Sequence, residues 1–264
     1  MRMLKVFKDL VAFLTIIPLA KDESFVETSA RYMFLFPLIG GFIGLLAAIY
    51  FQLCTSILQL LTPIIRFLMG TLENTFIRIF SACATISFIL VLTGLQHFDG
   101  LVDLGNALGL KNLEERRRVA HAWIVTYKGA FLALFIEFLA FIGIFLINAV
   151  LMFKALICAE VSAKLSMVVL ACIGKPAQSG LGALFMKYNR GVKPIIAAYV
   201  VALLIIFPLF GFSSVMFLLV SFLASFLLEK VSNKVFGGVS GDVIGATNEI
   251  VRAICLLMVA GGVA

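Results

Sequence analysis

The sequence predicts an all-α integral membrane protein, a polytopic bundle of about seven transmembrane helices within a range of six to nine. Three observations predict it. Of 264 residues, 62% are hydrophobic and only 13% are charged, about half the charged share of a soluble domain. There are 26 Phe and one Trp, and the mean hydropathy is +1.14. The apolar residues come in runs of roughly 20, the length that crosses a hydrocarbon core. A soluble fold of this size cannot hide that much apolar surface. Lipid can cover it, provided that helices satisfy the backbone polar groups internally.

Seven stretches have the required length: residues 32–51, 76–96, 130–151, 154–173, 195–211, 212–228 and 243–263. Residues 3–20 are amphipathic, and residues 53–70 are apolar but carry Pro63 and Arg66. Each of these two is compatible with an interfacial or a spanning position. The first apolar run is interrupted by Lys5, Lys8 and Asp9 and lacks a small-residue cleavage pattern, so no cleavable signal peptide is expected. Cys54, Cys83, Cys158, Cys172 and Cys255 all lie in apolar stretches without metal or redox spacing. They are expected to be small hydrophobes rather than disulfides. No fixed-period repeat or low-complexity linker divides residues 1–264, so one membrane domain is expected.

The net charge of +7 fits the bias of Lys and Arg toward cytoplasmic loops better than nucleic-acid binding. With seven crossings, residues 1–31, 97–128, 174–194 and 229–242 share one side. They hold 16 of the 21 Lys and Arg, against three (Arg66, Arg78, Lys154) on the other side. The basic side is expected to be cytoplasmic, in a multi-pass cell-membrane protein whose site is formed by the segments near 97–128, 174–194 and 229–242.

The densest polar cluster is Thr93-Gly94-Leu95-Gln96-His97-Phe98-Asp99-Gly100-Leu101-Val102-Asp103-Leu104-Gly105-Asn106. On a helix, Asp99 and Asp103 share a face. Two like charges there repel unless a cation stands between them, and a hard divalent ion with phosphate co-ligands, usually Mg²⁺, would do so. A solvated helix end is the plainer alternative. His97 and Asn106 lie within a turn of the pair.

A second cluster, Gly237-Gly238-Val239-Ser240-Gly241-Asp242, leads directly into an apolar helix carrying Asn248 and Glu249. Backbone N–H groups at such a junction can hold a phosphate. Asp242 falls where a capping residue would sit, and Arg252 is spaced to neutralise Glu249. Polar groups as deep as Asn248 and Glu249 are costly, and mark a site or a pair. A third cluster, Lys175 to Gly182 followed by Lys187, Arg190 and Lys193, reads first as a positive loop. Arg116-Arg117-Arg118 reads the same way. Glu160 and Lys164 are spaced for an ion pair. Glu137 stands alone in an apolar run.

At these residues the chain resembles the cobalamin synthase family. Gly94-Leu95-Gln96-His97-Phe98-Asp99-Gly100-Leu101-Val102-Asp103 is similar to its G-G-L-H-L-D-G-L-A-D signature. Gly237 to Glu249 is similar to its G-G-x-[ST]-G-D-x-x-G-A-x-N-E. Ala12-Phe13-Leu14-Thr15-Ile16-Ile17-Pro18, Phe36-Pro37-Leu38-Ile39-Gly40, Lys128-Gly129-Ala130 and Gly180-Leu181-Gly182 match shorter blocks in the same order. The resemblance covers nearly the whole chain. The chain departs from the family pattern at Asn106 and near Val125, where an Asp is usual, at Ala107, often Gly, and at Ala177 and Ser179.

The resemblance implies a transferase that joins adenosylcobinamide-GDP to α-ribazole or its 5′-phosphate, releases GMP and needs Mg²⁺. It implies Asp99, Asp103, Asn106 and Asp242 as metal ligands, with His97 as a base or phosphate contact. Gly238, Ser240, Gly241, Asn248 and Glu249 would contact substrate, and Lys175, Lys187 and Arg190 the guanylate end. The expected partners are these small molecules and the lipid bilayer, with a homo-oligomer left open. Three alternatives stand beside it. A CDP-alcohol-type phosphotransferase would carry an Ala-Arg pair that Val102-Asp103 does not provide. A polytopic transporter would show broken polar helices near the midplane. A weakened corrinoid-binding relative would fit the loss of acids at Asn106 and Val125.

Overall fold

A computed structural model describes residues 2–20, 22, 24–120 and 124–263. Part of the expected 97–128 segment, residues 121–123, lies outside the described residues. Among the described residues thirteen α-helices follow one another: α1 Arg2–Leu14, α2 Phe25–Arg31, α3 Phe36–Leu60, α4 Thr62–Met69, α5 Glu73–Leu92, α6 Gln96–Ala107 and α7 Leu113–Ala120. They continue with α8 Tyr127–Leu146, α9 Ala149–Ile173, α10 Leu181–Asn189, α11 Val192–Phe210, α12 Ser214–Phe236 and α13 Gly241–Ala260.

Six helical stretches are long and apolar enough to cross a membrane, the fifth being Val192–Phe236 with 45 residues. A straight helix of that length would run roughly 68 Å, more than twice a hydrocarbon core. It is broken at Gly211, whose φ is +53°. The Tyr199 hydroxyl on α11 donates to the carbonyl of Leu218 on α12 at 3.2 Å, which only a fold-back allows. The stretch is a hairpin, and the bundle has seven long helices: α3, α5, α8, α9, α11, α12 and α13.

The boundaries shift where polar residues blur the apolar run. Helix α3 continues through Gln52, Thr55 and Ser56 to Leu60, because none of them breaks a helix. The apolar stretch 53–70 is divided between the end of α3 and the short α4, which Pro63 opens. There Arg66 pairs bidentately with Glu73, both contacts at 2.6 Å.

Helix α9 is the axis of the bundle, with nineteen buried residues. Without a hydrophobic drive between helices in lipid, close approach needs small residues. Gly40 and Gly44 of α3 supply it: a Cβ on Gly44 would stand 2.6 Å from Ile157 Cα. On the opposite flank, the Ser221 and Ser225 hydroxyls of α12 donate to the carbonyls of Ser162 and Ser166 on α9, at 3.0 and 2.9 Å.

The polar connections gather at one end. Ile16 N donates to Leu92 O, Arg116 reaches the carbonyl of Lys234, and Arg31 and Tyr188 share Glu27. One parallel bridge joins Pro176 and Val239, with Ala177 N donating to Val239 O at 3.0 Å and Val239 N to Lys175 O at 2.7 Å.

Candidate active site

The turn Gly94-Leu95 starts the site. Both residues have positive φ, +65° and +60°, and Leu95 is the non-glycine outlier among the described residues. A left-handed leucine is strained. Here it reverses the chain out of α5 and aims α6 back across the bundle end. Helix α6 then crosses α13 at Gly100. A Cβ there would stand 3.1 Å from Ala246 N and closer still to the Asp242 carbonyl. The missing side chain is what lets the Asp99 and Asp242 segments meet.

Between these helices and the N-terminal elements lies a cavity of about 600 Å³. One wall is polar, with Gln96, His97 and Asp99 from α6, Ser240, Gly241 and Asp242 from the head of α13, and the 178–182 loop. The other is apolar, with Phe13, Phe25, Met33, Phe36 and Phe185. Segments from all three expected polar regions therefore share one cavity. The apolar wall was not anticipated. Its signal lay in phenylalanines spread over 173 positions of a Phe-rich chain, where no spacing stands out.

Asp99 is exposed and Asp242 partly buried. Asp103, one turn along α6, is about half buried, and its carboxyl is pushed up to about 7. Burial is the main cause, followed by the nearby charges of Asp242 and then Asp99. Among the described residues no three acidic, His or Cys side chains stand close enough to hold a metal ion on their own. Mg²⁺ commonly takes one or two carboxylates and completes its shell with water and substrate phosphate. An oxygen-donor set in which the carboxylates already repel one another fits that mode, and does not fit an all-protein cage.

Ser240, not Asp242, caps α13: its hydroxyl accepts from Val243 N at 3.3 Å and donates to Asp242 Oδ2 at 3.2 Å. Gly238 is buried against Ala177 and the Lys175 carbonyl, and shapes the loop rather than lining the cavity. Lys175, Lys187 and Arg190 are exposed and stand outside the cavity lining.

Asn106 is used differently from the metal-ligand expectation. It is 2% exposed. Its Oδ1 accepts from Thr126 N at 3.0 Å and Thr126 Oγ1 at 2.8 Å, and its Nδ2 donates to Ile124 O at 2.7 Å. Both ends of the amide are engaged in tying the entry of α8 to α6. The reading of Asn106 as a ligand is therefore set aside.

Asn248 and Glu249 lie behind the cavity, in a buried polar network. Arg252 pairs with Glu249 and with Glu160. Lys164 donates to Asn248 Oδ1 at 2.7 Å and meets Glu160 Oε2 at 3.4 Å. Asn248 donates to Glu249 Oε1 at 3.0 Å. Glu137 is buried against this group, its two oxygens without a hydrogen bond among the described residues. His97 joins cavity and network. Its Nδ1 is 3.7 Å from Glu249 Oε1, too far for a hydrogen bond. Burial, then Lys164 and Arg252, push its pKa well below the usual value, so the imidazole is neutral and this contact is not an ion pair.

Comparison with known proteins identifies the family. No solved structure matches the chain. A protein of Archaeoglobus fulgidus named adenosylcobinamide-GDP ribazoletransferase is 30% identical over 263 residues, covering 98% of this chain and 99% of the relative. Proteins of the same name from Haloquadratum walsbyi and Methanosarcina barkeri are 28% and 29% identical; the first alignment covers 93% of both chains, the second 96% of this chain and 91% of the relative. The sequence profile of the family described as cobalamin-5-phosphate synthase matches residues 6–260. With a family match along nearly its whole length and a relative 30% identical over 98% of it, the chain belongs to the cobalamin-5-phosphate synthase family.

Proposed function

We propose that this chain is a membrane-embedded, Mg²⁺-dependent adenosylcobinamide-GDP ribazoletransferase, working at the cytoplasmic face of the cell membrane. The observation that carries the reading is the meeting of Asp99 and Asp242 on one cavity wall, with Asp103 beside them held protonatable near neutrality. Carboxylates crowded to that degree call for a cation, and a pyrophosphate substrate brings the missing oxygen ligands. The names of the relatives support the substrates.

In this reading a hydroxyl of α-ribazole, or of its 5′-phosphate, attacks the phosphorus nearest cobinamide. The new O–P bond forms as the bond to GMP breaks, and GMP leaves. Asp99 and Asp242 would hold Mg²⁺, with the nearby Asp103 adding negative charge, and the ion when bound would supply charge neutralisation at the pyrophosphate oxygens. The chain's own groups do the positioning. Gly241 and Asp242 in the first turn of α13 line the cavity, where the N-terminus of a helix favours a phosphate. His97, neutral and on that wall, would contact the hydroxyl or a phosphate, while a carboxylate of the same wall would be the stronger base for the hydroxyl proton. Asn248 and Glu249 act from behind, holding α13 against α9 and backing His97. Lys175, Lys187 and Arg190 have no part in this mechanism.

The test is to incubate purified protein with adenosylcobinamide-GDP, α-ribazole 5′-phosphate and Mg²⁺ and to follow GMP. Release is expected from the wild type, with a loss of about a hundred-fold or more in Asp99→Ala and Asp242→Ala. No GMP from folded wild-type protein sinks the reading.

A further inference from the structure

The two walls of the cavity differ in kind. The polar wall carries His97, Asp99, Asp242 and the head of α13. The facing wall is built from α1, α2, α3, α9 and α10 and, among the described residues, contributes no polar side chain. Its centre is a cluster of three rings. Phe13 stacks on Phe185 with centroids 4.9 Å apart and planes inclined by 30°, and Phe36 lies 6.1 and 5.9 Å from the two. Phe36 and Phe185 are buried, while Phe13 and Phe25 are only partly covered. Phe25 sits on α2, whose seven residues are anchored by the Arg31–Glu27–Tyr188 group.

We propose that this aromatic wall is the subsite for the flat heterocyclic base of the acceptor nucleoside, held against Phe13 and Phe25 while its ribose faces Asp99 and Asp242. The inference rests on the ribazoletransferase reading, and adds which substrate lies where. Three ligand parts compete for the wall, and chemistry separates them. The guanine of the GMP half presents a row of donors and acceptors along its edge. An apolar wall would strip water from that edge and return nothing, leaving each of those groups unpaired. The corrinoid is several times larger than a nucleoside, whereas a cavity of about 600 Å³ is of the size that encloses a nucleoside-scale ligand. The base of α-ribazole is a dimethylated benzimidazole: flat and mostly apolar, with a single ring-nitrogen acceptor in place of guanine's row of donors and acceptors. It gains from ring contact on the face and from apolar burial at the methyl groups. Met33 and Met167 border the same space, and flexible thioethers fit such an irregular edge.

The arrangement also orients the acceptor. With the base against the rings, the sugar is carried to the opposite wall, where the first turn of α13 and Asp99 lie. Apolar binding energy is thereby used to place a hydroxyl rather than to hold a phosphate.

The experiment measures binding by calorimetry on the full-length detergent-solubilised protein. The probes are α-ribazole, its analogue with adenine as base, and GMP, each with and without adenosylcobinamide-GDP. Wild-type protein is expected to bind α-ribazole more tightly than the adenine analogue. Phe25→Leu and Phe13→Leu each weaken α-ribazole by about five-fold, the scale of one lost ring contact, and leave GMP within two-fold (roughly the scatter of such a comparison). Thermal midpoints check folding. Phe25→Leu, outside the stacked ring cluster, carries the test if Phe13→Leu unfolds. Weaker GMP with unchanged α-ribazole assigns the wall to guanine and overturns the proposal. So does wild-type protein that fails to bind α-ribazole, or an adenine analogue that binds as well. Wild type that binds α-ribazole as expected but never releases GMP overturns the transferase reading and leaves the subsite standing.

Discussion

The side-chain oxygen of Asn106 accepts two hydrogen bonds from one residue, Thr126, through its backbone N–H and its hydroxyl. The same Thr126 hydroxyl caps α8 by accepting from Gly129 N at 3.2 Å. A polar side chain in the acidic signature segment thus serves to start a transmembrane helix.

Asn106→Asp keeps the acceptor and loses the donor to Ile124 O, setting a carboxylate against a carbonyl. The variant should lose roughly 1–3 kcal/mol of stability, seen as a lower thermal midpoint in detergent. Its Mg²⁺ midpoint for activity should match the wild type. A markedly lower Mg²⁺ midpoint would return position 106 to the metal.

Asp103 has its carboxyl raised from 3.8 to about 7 in the folded protein. The folded state therefore binds protons more tightly than the unfolded one. For the metal-free protein this destabilises folding progressively as pH rises from about 4 through 7. Asp103→Asn should remove the effect. Without Mg²⁺ the variant should be more stable than wild type at about pH 8, by a smaller margin at about pH 5, and nearly equal at about pH 3.5. Mg²⁺ should raise the wild-type midpoint at the higher pH by more than that of the variant, which keeps Asp99 and Asp242 but has lost the nearby charge. Thermal melts across pH, with and without Mg²⁺, give the answer.

Arg252 is the cation shared by Glu160 and Glu249 at the bundle centre. Arg252→Ala leaves two buried carboxylates with only Lys164 between them. A loss on the order of 3–5 kcal/mol is expected, enough to abolish recovery of folded protein at growth temperature. Lys5→Ala removes an exposed pair with Asp22 and should leave the melting midpoint unchanged. Comparable melts for the two variants would show that the inner network is not what holds α9 to α13.

Single cysteines placed at Lys111, Lys187 and Lys234 test the orientation. All three are exposed at the cavity end of the bundle. In intact cells they should resist an impermeant thiol reagent, while a cysteine at Thr71, at the opposite end, should label. Labelling of one of the three with protection of the others would break the common face.

Much of the fold was legible because lipid demands long uninterrupted apolar runs, and seven of them stood in the sequence near the positions the helices occupy. The hairpin at Gly211 was legible for the same reason: one run was too long for a single crossing. The pairs Glu160–Lys164 and Glu249–Arg252 could be read because a helix turn brings them together. The second partner of Arg252, Glu160, lies 92 positions away and left no local mark. The duty of Asn106 was hidden likewise, since its partners are 18 and 20 positions downstream. Spacing could propose which acids share a face. It could not say which polar side chains were already spent on the backbone.

The short bridge between Pro176 and Val239 links the exit of α9 to the entry of α13. Two loops separated by some sixty residues of chain are fastened by a pair of backbone hydrogen bonds, one in each direction. Neither loop can swing outward without dragging the other or breaking both bonds. The cavity rim on this side behaves as one stiff lip, and its shape is passed directly to the head of α13.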